Sequence, residues 1–416
     1  MGCRAGAGRA DIVFPDAVFP VEGFVGERDP LRARVVLLDD GSLRIALAAI
    51  DQISIRDESL ARIRHVITGV TGLPARQIVV SATHTFAAPH ILPTDQVAPG
   101  NRDSNECLQQ AVDNAVRRAA TDALARLQPA RIGFGLGRCG VNVNRDVPTA
   151  EGWWLGANEA GASDRSVAVI SVDDLAGQPI ALLVNYAVQS SVMHDSVTSA
   201  GSKLITADLA GAATRHIEEH HAGAVALFLI GAAADQAPYL TANRHVTGPG
   251  GHPARTDVHE AGFLLVDLLG ERLGTEAVRV REQITETNPV PTLAITTETV
   301  TLKGQVMQAT EDIRPATAYQ YTPTGPASAP VTIVRIGDIA LVGVQAELTS
   351  ATGLDIKRRS PFARTVVMTM TNGAAKYMAD EPSFDRITYA AMSSPYARGS
   401  AETFTAAVVD LLQRLA

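Results

Sequence analysis

The chain has 416 residues, of which 46% are hydrophobic and 19% are charged, a composition typical of globular proteins and not of disordered or fibrous ones. Its net charge of -8 argues against a surface for nucleic acid or anionic membranes, since both require a basic footprint. Only three cysteines occur, without a Cys-x-x-Cys pair, which excludes a disulfide framework and a thiolate zinc finger. Any metal must therefore be held by histidine, carboxylate or another oxygen ligand.

No segment of the sequence is typical of export or of membrane insertion. The most continuously apolar run, 222–234, is shorter than the roughly 18 apolar residues that a membrane span needs. The segment 1–11 contains two arginines but lacks the apolar core of a secretory signal. We therefore expect a soluble, cytoplasmic protein that acts on a small molecule and has no nucleic-acid or membrane partner. The sequence gives no indication of its oligomeric state.

Strand and helix patterns alternate along the chain. Two aliphatic runs, 34–38 and 43–47, are joined by the turn Asp39-Asp40-Gly41 and predict a hairpin. Apolar residues at helical spacing then predict a helix over 56–71, which Pro74 terminates. Further strands are predicted over 77–81, 167–172, 179–186, 224–230, 332–336, 339–344 and 366–370. Further helices are predicted over 105–127, 208–219, 259–270 and 402–415.

This alternation predicts an α/β fold with mixed β-sheets flanked by helices on both faces. No linker or break in composition divides the chain, so we expect one large domain over 1–416. Two segments rich in turn residues, 145–164 and 245–256, are predicted to be long loops of the kind that form lids or binding loops.

Polar side chains follow five of the predicted strands. These residues are His84, Gln189 with His194, Asp235, Glu347 and Tyr377. Strand ends at one edge of an α/β sheet are where such folds bind ligands, so the five positions predict a ring of polar groups around a metal or a reacting carbonyl. Each residue alone also has an ordinary structural interpretation, such as a histidine bonded to backbone or an aspartate in a turn.

Several common catalytic motifs are absent from the sequence. There is no His-Glu-x-x-His zinc motif, no phosphate-binding P-loop and no Gly-x-Ser-x-Gly nucleophile turn. The glycines of 133–137 are the nearest approach to a dinucleotide fingerprint, but no helix pattern follows them, so we interpret them as part of a strand.

Six segments, in order along nearly the whole chain, resemble the catalytic domain of the neutral/alkaline (non-lysosomal) ceramidase family. They are Gly6–Ile12, Asp29–Arg34, Ser81–Thr85 with Pro89, Asn142–Arg145, Glu347–Thr349 with Gly353, and Asn372–Tyr377. The resemblance implies that family's catalytic fold without its carboxy-terminal immunoglobulin-like domain. It also implies cleavage of an amide by an enzyme that holds zinc with two histidines, a glutamate and a tyrosine.

On this resemblance, the metal ligands would be His84, Glu347 and Tyr377. Gln189 stands where the family has its second ligand histidine, Ala237 where it has a serine implicated in catalysis, and Phe86 where it has a further histidine. A neutral amide is a weaker ligand than imidazole, so a divalent metal, with zinc as one candidate, would be held differently here.

The remaining candidates follow from the same positions. We assign substrate contacts to Asn144, Arg145, Trp153 and Gln189, with the planar fork of Arg145 suited to a carbonyl or carboxylate. The groups that could carry a proton are His90, His194 and Asp235.

The first hypothesis is a hydrolase of the neutral ceramidase superfamily. It would use a metal-activated water to cleave an amide, or a related acyl bond, of a small substrate other than ceramide. Two alternatives stay open: a metal-independent lactonase or lyase that uses the same pocket, and a catalytically silent binding protein. The retained His84, Arg145 and Glu347 favour an active enzyme over the silent protein.

Overall fold

The computed structural model of the protein describes residues 2–416. The strands are β1 Arg4–Asp11, β2 Phe24–Glu27, β3 Arg32–Asp39, β4 Arg44–Ile50, β5 Ile78–Ala82, β6 Gln128–Arg138, β7 Asn142–Thr149, β8 Gly152–Asn158, β9 Ser166–Asp174, β10 Pro179–Tyr186, β11 Lys203–Ile205, β12 Val225–Ile230, β13 Gln236–Pro238, β14 Asn243–Thr247, β15 Pro253–Asp257, β16 Thr287–Asn288, β17 Leu293–Gln305, β18 Pro323–Ile336, β19 Ile339–Val344, β20 Glu347–Leu348, β21 Arg364–Met368 and β22 Tyr377–Met378. The helices are α1 Asp57–Thr71, α2 Arg102–Ala125, α3 Asp208–His220, α4 Gly262–Glu282, α5 Ser350–Arg359, α6 Glu381–Arg386, α7 Tyr389–Met392 and α8 Ser400–Leu415.

The main sheet is mixed. Its strands lie in the order β12-β10-β9-β6-β1-β3-β4-β5, and β16 pairs with β6 at the side. The predicted hairpin is confirmed as β3 and β4, which pair antiparallel, whereas β4 with β5 and β10 with β12 are parallel. These parallel pairs bring the carboxyl ends of β4 and β5, and those of β10 and β12, to common edges of the sheet.

A second sheet, in the order β17-β18-β19-β21, packs on the main one. Side chains alternate between the two faces of a strand, so Val35 and Leu37 of β3 lie in the core beneath helices α1 to α4. Val36 and Leu38 point the other way and share a core with Leu341 of the second sheet. Helices α5 and α8 cover the outer face of that second sheet.

The structure confirms mixed sheets flanked by helices, but corrects the expectation that helices cover both faces of the same sheet. A second sheet covers one face of the main sheet, giving four layers in the order helix, sheet, sheet, helix. The sequence did not distinguish these arrangements because a fully buried strand is apolar whichever element covers it.

Helix α2 approaches the main sheet closely because both surfaces carry small side chains. Its buried face is rich in alanine, including Ala119 and Ala123. These residues lie over Gly6 and Gly8 of β1, where a Cβ atom would collide with their carbonyl oxygens. The glycines of the amino-terminal segment therefore permit helix–sheet contact and do not need a positive φ angle.

The two predicted long loops are β-hairpins. The segment 145–164 contributes to the antiparallel pair β7 and β8, and 245–256 to the pair β14 and β15. Both loop predictions were wrong. The turn-forming residues do not interrupt the secondary structure but form the turns of short hairpins. No helix of the described residues is long and apolar enough to cross a bilayer.

A buried ion-pair network ties the main sheet to helix α3. The guanidinium of Arg34 is 3.0 Å from Asp51 Oδ2 and 3.6 Å from Glu218 Oε1, and all three side chains are at most 3% exposed. Arg34 also donates to the hydroxyl of Thr214 at 2.9 Å. Burial alone would lower the pKa of Arg34, but the two carboxylates outweigh it, so its pKa is raised.

Replacing Arg34 should strongly destabilise the protein. Arg34→Met leaves Asp51 buried without a cation and removes one of the three arginines around Glu218, which also pairs with Arg9 and Arg32; leaving the buried carboxylate unpaired costs about 3–5 kcal/mol. The matched control is Arg44→Met, because Arg44 pairs with Asp39 near the surface and its loss costs at most about 1 kcal/mol. Urea unfolding of the two variants measures the difference, and equal destabilisation would contradict the assignment of Arg34 as a structural charge.

Candidate active site

His84 lies two residues beyond the end of β5, in a left-handed backbone conformation with φ of 61°. Its Nδ1 is 2.5 Å from the carbonyl oxygen of Ile53, so Nδ1 carries the proton of this hydrogen bond. The Nε2 atom then faces Glu347 Oε2 at 3.3 Å and is buried without a hydrogen-bond partner. Two groups with lone pairs therefore face each other, an arrangement that requires a proton or a metal cation between them.

Glu347 and Tyr377 are neighbours because β20 and β22 pair in parallel, with these two residues in register. The backbone N–H of Glu347 also donates to the carbonyl oxygen of Lys376 at 2.8 Å. Two residues beyond Glu347, the hydroxyl of Thr349 caps the first turn of α5 by accepting from the backbone N–H of Thr352, and it donates to Asp380 Oδ2 at 2.9 Å. These local contacts fix Glu347 and Tyr377 side by side.

Gln189 and Arg145 complete a chain of buried polar contacts. The Gln189 amide donates from Nε2 to Glu347 Oε2 at 2.5 Å, and its Oε1 accepts from Arg145 Nη1 at 2.9 Å. The guanidinium carbon of Arg145 lies 5.3 Å from the ring centroid of Tyr377 and 5.6 Å from that of Tyr389. The Nε and Nη2 atoms of Arg145 are buried without a hydrogen-bond partner, so two of its donors are free for a ligand.

The buried groups stabilise one another's charges. Burial alone would raise the pKa of Glu347, but His84, Arg145 and Gln189 stabilise the carboxylate, and the net effect lowers its pKa. The pKa of Arg145 is raised, since Tyr377 and Glu347 outweigh the cost of burying it. Burial and the Glu347 charge raise the pKa of Tyr377, which keeps the free phenol protonated.

A cavity of about 600 Å³ opens beside these groups. Its walls include His84, Phe86, Trp154, His194, Glu347, Tyr377 and Tyr389. A smaller pocket of about 110 Å³ shares several of these residues and adds Arg145 and Gln189. The cavity volume is in the range of sites for small organic ligands, which is roughly 300–1,000 Å³.

The structure does not bring Asp235 or Asn144 to the cavity wall. Asp235 is buried, and its carboxylate accepts from the backbone N–H and hydroxyl of Ser350 at 2.8 and 3.0 Å and from the Asn144 amide at 3.1 Å. Its carbonyl oxygen accepts from the backbone N–H of Arg145 at 2.8 Å. Asp235 and Asn144 therefore position Arg145 and the start of α5, with no lone pair directed at a substrate.

The two histidines proposed as proton carriers have similarly exposed side chains, His194 at 48% and His90 at 47%, but they have different neighbours. His194 contacts Phe86 at 4.5 Å between ring centroids, and Phe86 in turn contacts His84 at 4.6 Å. The surrounding protein lowers the pKa of His194 by desolvation, so its imidazole is neutral at neutral pH. His90 contacts a carboxylate instead, with Nδ1 2.7 Å from Glu22 Oε2.

Of the two adjacent tryptophans, Trp154 lines the cavity and Trp153 does not. Trp153 packs against Arg386, whose guanidinium carbon is 5.0 Å from its ring. Both belong to β8, where neighbouring side chains point to opposite faces. Trp154, and not the Trp153 expected from the sequence, is therefore the tryptophan that faces the cavity.

Most residues of the cavity were not predicted from the sequence, among them Arg56, Lys376 and Tyr389. Tyr389 opens the short helix α7 and lies over Arg145. Lys376 directly precedes Tyr377, and Arg56 immediately precedes α1. The other candidates were identified because they follow predicted strands, and neither Arg56 nor Tyr389 does.

The donor atoms fit an open metal site with three protein ligands. His84 Nε2 and Glu347 Oε2 are ligand types for zinc, and the neighbouring Tyr377 phenol would be the third, leaving one position for water or substrate. Gln189 directs its N–H, which cannot coordinate a metal, at Glu347 and orients the carboxylate. Residues 2–416 contain no group of three or more His, Cys, Asp or Glu side chains placed to hold a metal.

The architecture matches solved structures, although no protein-family model and no curated protein matches the sequence. The neutral ceramidase from Pseudomonas aeruginosa matches with a TM-score of 0.77 at 20% identity, over 100% of this chain and 74% of that one. A ceramidase complexed with C2 matches with a TM-score of 0.76 at 18% identity, over 100% of this chain and 75% of that one. The protein therefore has the fold of the neutral ceramidases.

Proposed function

We propose that the protein is a hydrolase of the neutral ceramidase superfamily that cleaves an amide, or a related acyl bond, of a small substrate other than ceramide. The proposal rests on two sets of buried atoms without hydrogen-bond partners. They are the donors Nε and Nη2 of Arg145 and the Nε2 atom of His84. During hydrolysis of an acyl group, negative charge develops on the acyl oxygen. Fixed hydrogen-bond donors and a nearby cation stabilise that charge. The shared fold agrees with this assignment.

A divalent metal bound by His84, Glu347 and Tyr377 would act as a Lewis acid and lower the pKa of a bound water. The residues of the chain supply the rest. Arg145 donates through Nε and Nη2 to the substrate carbonyl oxygen, held by its bond to Gln189 and by its stacking on Tyr377. The neutral imidazole of His194, at the cavity wall, accepts and returns the proton.

The cavity favours a small and polar substrate. Its volume of about 600 Å³ suits a ligand of modest size, and charged side chains such as Arg56, Asp195, Lys376 and Glu260 contribute to its walls. A two-chain lipid would have to place apolar surface against these groups, which is costly without compensating hydrogen bonds.

One observation favours the metal-independent alternative. Arg145 and Glu347 already carry opposite charges within a single hydrogen-bonded chain through Gln189, so a proton shared by His84 and Glu347 would complete the site. In that case the His84–Glu347 pair would donate the shared proton to the leaving oxygen as the general acid of a lactonase or lyase.

Purified protein supplied with Zn²⁺ should release free amine from short N-acyl amides such as N-hexanoyl amides. We expect kcat/KM to be at least tenfold higher than for a ceramide in detergent micelles, because of the charged cavity walls. Amine release followed with a fluorogenic amine reagent measures both. If no amide is cleaved while lactones are opened, the metal-independent alternative replaces the proposal.

Metal content separates the two chemistries directly. Protein prepared without added zinc should contain about one equivalent of divalent metal, and His84→Ala or Glu347→Ala should abolish binding, since each removes one of three ligands. His65→Ala is the matched control, because His65 lies on the exposed surface of α1. Elemental analysis of the dialysed proteins gives the result. A wild-type protein that binds no divalent metal yet hydrolyses amides would overturn the metal assignment.

Arg145→Lys should lower kcat/KM for the best amide by about 10²-fold, because it keeps the buried charge but removes the donors that fit the carbonyl oxygen. Arg117→Lys, on the exposed surface of α2, should have no effect. Steady-state kinetics, with thermal unfolding to verify the fold, provide the comparison. A folded Arg145→Lys protein with unchanged kinetics would rule out this role for Arg145.

A further inference from the structure

One wall of the cavity carries cationic side chains without carboxylate partners. Among the described residues, Arg56, Arg314 and Lys376 line the cavity and none forms an ion pair. Arg314 donates only to backbone carbonyl oxygens, and Lys376 Nζ has only the Thr310 hydroxyl at 3.4 Å. Lys203, which also lines the cavity, has no ion pair either and lies over the ring of Phe24, with Nζ 5.6 Å from the ring centroid.

Several other polar or charged side chains of the cavity do have partners within the protein. His90 Nδ1 is 2.7 Å from Glu22 Oε2, and Arg255 Nη2 is 3.5 Å from Asp195 Oδ2, so these groups already have partners within the protein. The carboxylate of Glu260 accepts from the backbone N–H and hydroxyl of Ser199 at 2.7 and 2.8 Å. The excess of positive charge in this cavity is local, since the chain as a whole carries a net charge of -8.

Two of the unpaired cations are close along the chain to the reacting groups. Arg56 follows Ile53, whose carbonyl oxygen holds His84, by three positions. Lys376 directly precedes Tyr377, and its own carbonyl oxygen accepts the backbone N–H of Glu347. Lys376 also has a positive φ of 53°, a conformation that costs energy in a residue other than glycine.

Concave sites lined by charge of one sign concentrate ligands of the opposite sign. An arginine supplies a planar fork that fits the oxygens of a carboxylate or phosphate, and a lysine supplies a compact point charge. Arg56 and Lys376 together therefore match an anionic group whose oxygens accept hydrogen bonds. The apolar residues Phe24, Phe86, Phe263 and Ile313 line the same cavity and suit an acyl chain.

We infer that the substrate is an N-acyl compound whose amine portion carries an anionic group, a carboxylate or a phosphate, held by Arg56 and Lys376. N-acyl amino acids are the simplest members of this class. The choice of a cleavable amide rests on the proposed function, whereas the anion site rests only on the cations of the cavity wall. Binding and cleavage are therefore tested separately.

The test uses sulfonamides, which bind as amide analogues but are not hydrolysed. Isothermal titration calorimetry compares N-(hexylsulfonyl)glycine and N-(hexylsulfonyl)aminoethyl phosphate with the neutral N-(hexylsulfonyl)ethanolamine. We expect at least one anionic probe to bind tenfold or more tightly than the neutral one, with a preference that falls as salt is raised. Whichever anion binds more tightly identifies the carboxylate or the phosphate class.

Arg56→Gln and Lys376→Gln should each weaken binding of the preferred anion about tenfold and leave the neutral probe unaffected. Arg117→Gln, outside the cavity on α2, is the matched control and should change neither. The inference is overturned if the neutral probe binds as tightly as both anions, or if the preference persists in the Arg56→Gln/Lys376→Gln double variant. An anion preference without hydrolysis of any amide would uphold the site and refute the proposed function.

Discussion

The buried carboxylate of Glu347 is the constraint on which the site depends. A carboxylate that is only 4% exposed is costly unless charged or hydrogen-bonding groups surround it. Gln189, His84 and, through Gln189, Arg145 supply that compensation. Each of these groups comes from a different part of the chain, so the folded protein must bring those parts together to bury the charge.

The layered architecture makes this convergence possible. His84 follows β5 and Gln189 follows β10, both strands of the main sheet, whereas Glu347 follows β19 of the second sheet. Short bridges join the segments beyond the strands, including Thr85 with Ser190 and Ser81 with Thr371. The site therefore lies where the ends of two stacked sheets meet, and groups from both sheets face one cavity.

Gln189 has a dual role at this junction. Its amide joins the cation Arg145 to the anion Glu347, since Oε1 accepts from Arg145 Nη1 and Nε2 donates to Glu347 Oε2. The consequence is an arginine whose position is fixed by one of its nitrogen atoms while two others stay free. Gln189 is thus held by hydrogen bonds to both of its charged neighbours.

The sequence by itself determined most strands and helices, since hydrophobic periodicity is local, and it identified His84, Gln189 and Glu347 because polar residues directly follow apolar strands. Only the tertiary structure decided that a second sheet covers the first, because buried strands look alike in sequence. It also decided that the carbonyl oxygen of Asp235 accepts from the backbone N–H of Arg145, and that Arg56 and Tyr389 line the cavity. Those outcomes depend on contacts between residues distant in the chain, and no local pattern encodes them.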